Sequence, residues 1–109
     1  MSAPAPDPLD CALNALADPT RRRILHALKE RGTIAKKIEK EKNVAGKSGC
    51  LCAGDIEDRM RLSQPTISHH MAILTNAGLV EATKQGQWRW YKRNEPAIRK
   101  LVRTLRTKI

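Results

Sequence analysis

The chain has 109 residues, 40% of them hydrophobic, and sets 21 Lys and Arg against 11 Asp and Glu for a formal charge of +10. One domain with a thin core is what that length allows, and the charge favours a polyanionic partner, either nucleic acid or an acidic membrane. No apolar run approaches the roughly 20 residues of a membrane span, and three cysteines, an odd number, fit poorly with a disulfide framework.

Residues 1–8, "MSAPAPDP", lack a basic n-region and an apolar h-region and so read as a flexible arm, not a signal peptide. A cytoplasmic location, associated with the nucleoid and keeping the thiols reduced, is the expectation. Residues 9–109 form the domain. Leu9, Leu13 and Leu16 have helical spacing, with Cys11 between them. "ADPTRRRILHALKERG" restarts the helix: Asp18 suits the N-cap, Pro19 the first position and Gly32 the stop, while Ile24, Leu25 and Leu28 form the buried stripe. Residues 33–49 are lysine-dominated and glycine-closed, an insertion read as a solvated loop or short helical excursion.

Asp55 to Met60 predicts a short helix with Ile56 and Met60 inward, and "RLS" a turn. Ser63 is expected to cap a second helix running to about Ala77, with Pro65 in its first turn. After Gly78, residues 79–93 read as a hairpin wing with Gly86 in its loop. Residues 95–109 read as a final basic amphipathic helix marked by Ile98, Leu101, Val102 and Leu105. The fold class is therefore mainly α with a small β-hairpin, a winged helix-turn-helix.

In such a unit the second helix enters the major groove. Helical spacing turns Ile67, Met71 and Leu74 inward, which leaves Gln64, Pro65, Ser68, His69 and Ala72 on the opposite face. Ser63 and Thr66 stand at the same helix start, and the amide, hydroxyls and imidazole of this set can meet base edges. At the wing, Lys84, Gln85, Gln87 and Arg89 surround a tip able to reach phosphates or the minor groove. Trp88, Trp90 and Tyr91 are expected to pack the sheet against the helices, in a chain without Phe. His26 and His70 read as packing or surface residues. A Cys/His nucleophile lacks any orienting third group, so an enzyme is not indicated.

"ALADPTRRRIL", "LSQPTISHHMAIL" and "AGLVEATKQGQWRWYK", with the spacing between them, closely resemble the ArsR/SmtB family of bacterial metalloregulatory repressors, over roughly Leu9 to Leu105. The resemblance implies a homodimer, built on the first and last helices, that binds an inverted-repeat operator in double-stranded DNA and leaves it when an inducer binds. It implies As(III) chiefly as that inducer.

Many members hold the inducer in a Leu-Cys-Val-Cys-Asp-Leu box. Here the corresponding stretch is Leu51-Cys52-Ala53-Gly54-Asp55-Ile56: Cys52 matches the first box cysteine, Gly54 occupies the second, and Cys50 falls outside the pattern. Cys11 lies on the first helix, where some relatives contribute a ligand. Residues i and i+2 point about 200° apart on a helix but lie on the same side of an extended segment, so Cys50 and Cys52 can chelate one ion only if the chain there is extended. Two or three sulfurs select soft ions; a three-sulfur set suits As(III), Sb(III), Cd(II), Pb(II) or Hg(II). The last helix has neither the Asp nor the His of the family's other common site. Two alternatives stay open: a redox or persulfide-sensing repressor of the same fold, and a constitutive nucleic-acid-binding architectural protein.

Overall fold

The computed structural model describes residues 7–29 and 50–109. Most of the N-terminal arm, the expected stop at Gly32 and the lysine-rich insertion lie outside the described residues.

Helix α1 spans Pro8–Leu16. Asp7 caps it, its carboxylate accepting from the Leu9 N–H at 2.8 Å, and Pro8 sits where a missing N–H is harmless. Ala12 and Ala15 are its buried residues. Helix α2 covers residues 19–29 and begins at Asp18 as expected, the carboxylate accepting from the Thr20 and Arg21 N–H groups at 2.8 and 3.2 Å. Its stripe of Ile24, Leu25 and Leu28 is buried, joined by Ala27.

Arg21 is buried as well, which a run of three arginines did not suggest. Helix α1 has no basic residue in its last turn, so its terminal carbonyls need donors from elsewhere. Arg21 supplies them through Nε to the Ala15 carbonyl at 2.8 Å and Nη2 to the Asn14 carbonyl at 3.0 Å. Arg22 reaches the Leu16 carbonyl. Arg21 thereby locks the α1–α2 corner.

Strand β1, Leu51–Cys52, leads directly into helix α3, Ala53–Met60, which buries Ile56 and Met60 and ends at Arg61 in the left-handed region (φ 55°). Helix α4, Gln64–Asn76, buries Ile67, Met71 and Leu74. Strands β2 (Val80–Gln85) and β3 (Trp88–Arg93) form the wing, joined by two residues, with Gly86 at φ 57° as such a tight turn demands. Helix α5, Glu95–Lys108, is capped by the Asn94 side chain accepting from the Ala97 N–H and buries Leu101. The resulting fold is mainly helical with a small antiparallel sheet, a winged helix-turn-helix.

Three expectations need correction. The sheet has three strands in the order β1-β3-β2, not a lone hairpin; Leu51 pairs with Tyr91 and Cys52 with Trp90. Ser63 occupies the N-cap of α4 without capping it: its hydroxyl meets the Thr66 hydroxyl at 3.0 Å instead. Pro65 explains part of this, because it has no N–H to offer a cap. Of the three aromatics, only Tyr91 is buried; Trp88 is 53% exposed, its ring tilted against that of Trp90 at 6.4 Å.

The core is one cluster, with Ile24, Leu28, Ile56, Ile67, Met71, Leu74, Leu79 and Val80 almost fully buried. At about 1.5–3 kcal/mol for each large aliphatic side chain, that cluster holds α2, α3 and α4 as one body and fixes where α4 presents its outer face. No helix among the described residues is long and apolar enough to cross a membrane.

Candidate nucleic-acid interface

With Ile67, Met71 and Leu74 turned inward, α4 leaves Ser63, Gln64, Pro65, Thr66, Ser68, His69 and Ala72 exposed. Beside it the wing projects. The period of two along its strands puts Lys84 and Arg89 on the same face as the buried Val80 and Tyr91, the face turned to the helices, and they stand directly opposite each other. Gln85 falls on the outer face with Trp88 and Trp90.

Between α4 and the wing lies a cleft of ≈500 Å³. Gln64 and Ser68 line it from α4; Lys84, Gln87 and Arg89 from the wing; Cys52, Gly54 and Glu57 from β1 and α3. Five of the DNA-facing residues expected from the sequence thus converge on one concave surface, and a cysteine expected for a different role stands in its wall. Ser63, Pro65, Thr66, His69 and Gln85 do not line it, and Glu57 was not anticipated. His69 is exposed while His70 turns back, its Nδ1 3.2 Å from Arg21 Nη1.

The cysteines are thiols, all half-buried. Cys52 is extended (φ −79°, ψ 163°), stands at the N-cap of α3, and donates from Sγ to Asp55 Oδ2 at 3.1 Å. Leu51 turns into the core, so strand alternation sends Cys52 to the other side, and Cys50 immediately precedes the strand. Cys11 lies on α1. Among the described residues no three His, Cys, Asp or Glu side chains are grouped closely enough to hold a metal ion; within one chain Cys11 does not meet the other two.

Among the described residues, Asp18 and Glu95 have carboxyls held below their usual values, each by a hydrogen-bonding arginine neighbour. Burial pushes Asp18 up, but the N–H groups of Arg21 and Thr20 and the Arg21 guanidinium outweigh it and leave the group below its usual 3.8. The Arg93 guanidinium, 2.7 Å from Glu95, holds that carboxyl below its usual 4.5.

A short helix, a three-residue turn, a second helix with an exposed polar face and a basic hairpin define a helix-turn-helix DNA-binding regulator. The family model described as bacterial regulatory protein, arsR family, matches residues 46–82. The HTH-type transcriptional regulator YbzH of Bacillus subtilis is 36% identical over 96 residues, 87% of this chain and 92% of its own. An arsenical resistance operon repressor of Staphylococcus aureus is 39% identical over 57 residues, 52% of this chain and 55% of its own. An ArsR-like transcriptional regulator from Rhodococcus sp. RHA1 superimposes with a TM-score of 0.67 at 27% identity, over 92% of this chain and 77% of its own. The chain belongs to the ArsR family of transcriptional regulators, and it is not an enzyme.

Proposed function

We propose that the chain is a homodimeric repressor that grips an inverted-repeat operator in double-stranded DNA and is released when a thiophilic ion, As(III) before Sb(III), Cd(II), Pb(II) or Hg(II), is held by its cysteine thiolates. The observation that carries this reading is the position of Cys52, in the wall of the cleft that Gln64, Ser68, Lys84 and Arg89 also line. An ion gathered there lies against the surface that would meet DNA.

Gln64, Ser68 and His69 read base edges in this scheme, with Ser63, Pro65 and Thr66 at the head of the helix close to the backbone. Lys84, Gln85, Gln87 and Arg89 carry the wing onto phosphate or the minor groove. Residues 95–109 supply the dimerisation helix together with α1; Leu13 and Val102, 39% and 53% exposed on those two helices, are apolar residues that a second copy would cover. A two-fold dimer places two α4 helices on two half-sites.

Cys50 and Cys52 offer two soft donors from one side of an extended segment, a set that suits a thiophilic ion better than a hard one. Cys11, from either protomer, is the third. Drawing the thiolates together pulls on β1, which is paired with the wing strand β3 and continuous with α3. The ion must therefore bind the DNA-incompetent arrangement more tightly; a thousandfold release requires about 4 kcal/mol of coupling. The S. aureus relative, named for arsenical resistance, supports the choice of As(III).

The test is a gel shift on the DNA upstream of the gene, under reducing conditions, titrated with arsenite, antimonite, cadmium, lead and mercury, with mass spectrometry of the released protein. Release by arsenite with a bound metalloid is expected. Release only with a peroxide, with a loss of two hydrogens per bridge, or only with a polysulfide, with one sulfur transferred to the thiolate as a shorter polysulfide leaves, transfers the role to redox sensing. Binding without sequence preference or response overturns the repressor reading.

A further inference from the structure

We propose that a second basic cleft, formed by α2 and α3 away from the wing, binds a phosphate oxyanion, and that in the DNA complex this is a backbone phosphate flanking the groove read by α4. The inference rests on the DNA-binding reading and adds a contact surface to it.

The cleft encloses ≈490 Å³ over a floor that includes Ala27 and Met60. Arg22, Arg23 and His26 enter it from α2 and Arg59 from α3, and among the described residues no carboxylate lines it. Spacings of three and four place the α2 side chains on one face. Arg22 is already oriented, one of its five guanidinium donors being engaged by the Leu16 carbonyl. Three guanidinium groups around one concavity repel one another, and their planar forked donors match the paired oxygens of a phosphate or a carboxylate.

Position selects the source of that phosphate. Glu57 lines the cleft between α4 and the wing, whereas Arg59 lines this one, and the two lie about 200° apart around α3. The turn after Arg59 and Met60 leads through Arg61 to Ser63 at the head of α4. On this proposal the head of α4 has Lys84 and Arg89 across one cleft, and the chain leads back from it to Arg59 in the other. The major groove is flanked by phosphates on both sides, about 12 Å apart. Position on the duplex would then be fixed from two directions.

The test uses the full chain and its operator in a salt series. Arg23→Gln and Arg59→Gln should each flatten the slope of log K against log salt by about 0.9 for every phosphate left without its cation. They should weaken operator and scrambled duplex by the same factor, while Arg23→Lys and Arg59→Lys recover most of the slope. Circular dichroism melting identifies any variant that fails to fold. In a second arm, pyrophosphate is titrated into the DNA-free protein while the His26 ring signals are followed by NMR. Saturable binding that both Gln variants abolish, with the DNA slope unchanged, assigns the cleft to a free phosphorylated ligand. An unchanged slope together with no pyrophosphate response in the wild type overturns the site. Should the wild type bind no duplex at all, the DNA reading fails and the pyrophosphate arm alone decides the cleft.

Discussion

Arg21 and His70, 49 residues apart in the chain, meet with Nη1 3.2 Å from the ring Nδ1. A guanidinium only donates, so Nδ1 is the acceptor and the ring proton sits on Nε2. This contact ties the α1–α2 corner to the middle of α4. The helix that would enter DNA is thus anchored from behind by a largely buried arginine.

Replacing Arg21 by Ala removes hydrogen bonds to the Ala15 and Asn14 carbonyls and to His70, leaving the first acceptor buried and the other two part-buried. At about 1.5–3 kcal/mol for hydrogen bonds to a charged group, we expect a loss of about 3 kcal/mol and a melting temperature lower by roughly 10–20 °C. Urea denaturation measures it; a loss under ~1 kcal/mol would mean that water replaces the guanidinium. Lys should not rescue, since it cannot span three acceptors with a planar fork.

Cys50→Ser and Cys52→Ser should keep operator affinity within about threefold and abolish release by arsenite, because oxygen is a poor donor to a soft ion. Trp90, the cross-strand partner of Cys52, gives the readout: its fluorescence should change on arsenite addition in the wild type and stay constant in both variants. Loss of DNA binding in the absence of arsenite would assign the thiols a structural role instead.

Gln64→Ala and Ser68→Ala should change which base is preferred in the half-site, by about 1–3 kcal/mol per affected position, with the salt slope nearly intact. Arg89→Ala should do the converse, weakening all sequences together and flattening the slope by about 0.9 for each phosphate it neutralises. Selection from a randomised half-site separates the two patterns. An unshifted preference in the α4 variants would displace them from the groove.

Asp18 and Glu95 set the acid limit. Both ionise at lower pH in the fold than in the unfolded chain, whose reference values are 3.8 and 4.5. The unfolded state therefore takes up protons first, so stability is complete above those values and is lost as pH falls through the lowered folded ones. Melting temperature should decline below about pH 4.5. Asp18→Asn and Glu95→Gln together should flatten that decline, and an unaltered profile would assign acid sensitivity to other groups.

Helix starts were legible because their signals are local: Asp18 and Pro19 open α2, and the stripe of Ile67, Met71 and Leu74 orients α4 without reference to the rest of the chain. Strand β1 was not legible, since Leu51 and Cys52 are too short a run to show a period and are a strand only because β3 lies alongside. Arg21 was hidden in an arginine run that resembles a solvated face. The available signal was its place three, four and seven residues before Ile24, Leu25 and Leu28, on the apolar stripe itself. Helical and strand periods suffice to group Gln64, Ser68, Lys84, Gln87 and Arg89, but nothing in one dimension put Cys52 in the same cleft, because that depends on the β1–β3 pairing.

At the tip of the wing, Lys84 and Arg89 are held face to face across the two strands. Like charges so opposed loosen a hairpin, and here a six-residue strand pair with a two-residue turn keeps them from sliding apart. In the unbound protein the tip is accordingly prone to fray, and added salt should steady it by screening. A row of phosphates would steady it further, converting mutual repulsion into shared attraction. The finger would stiffen only on contact, so that its rigidity itself reports that a polyanion is in place.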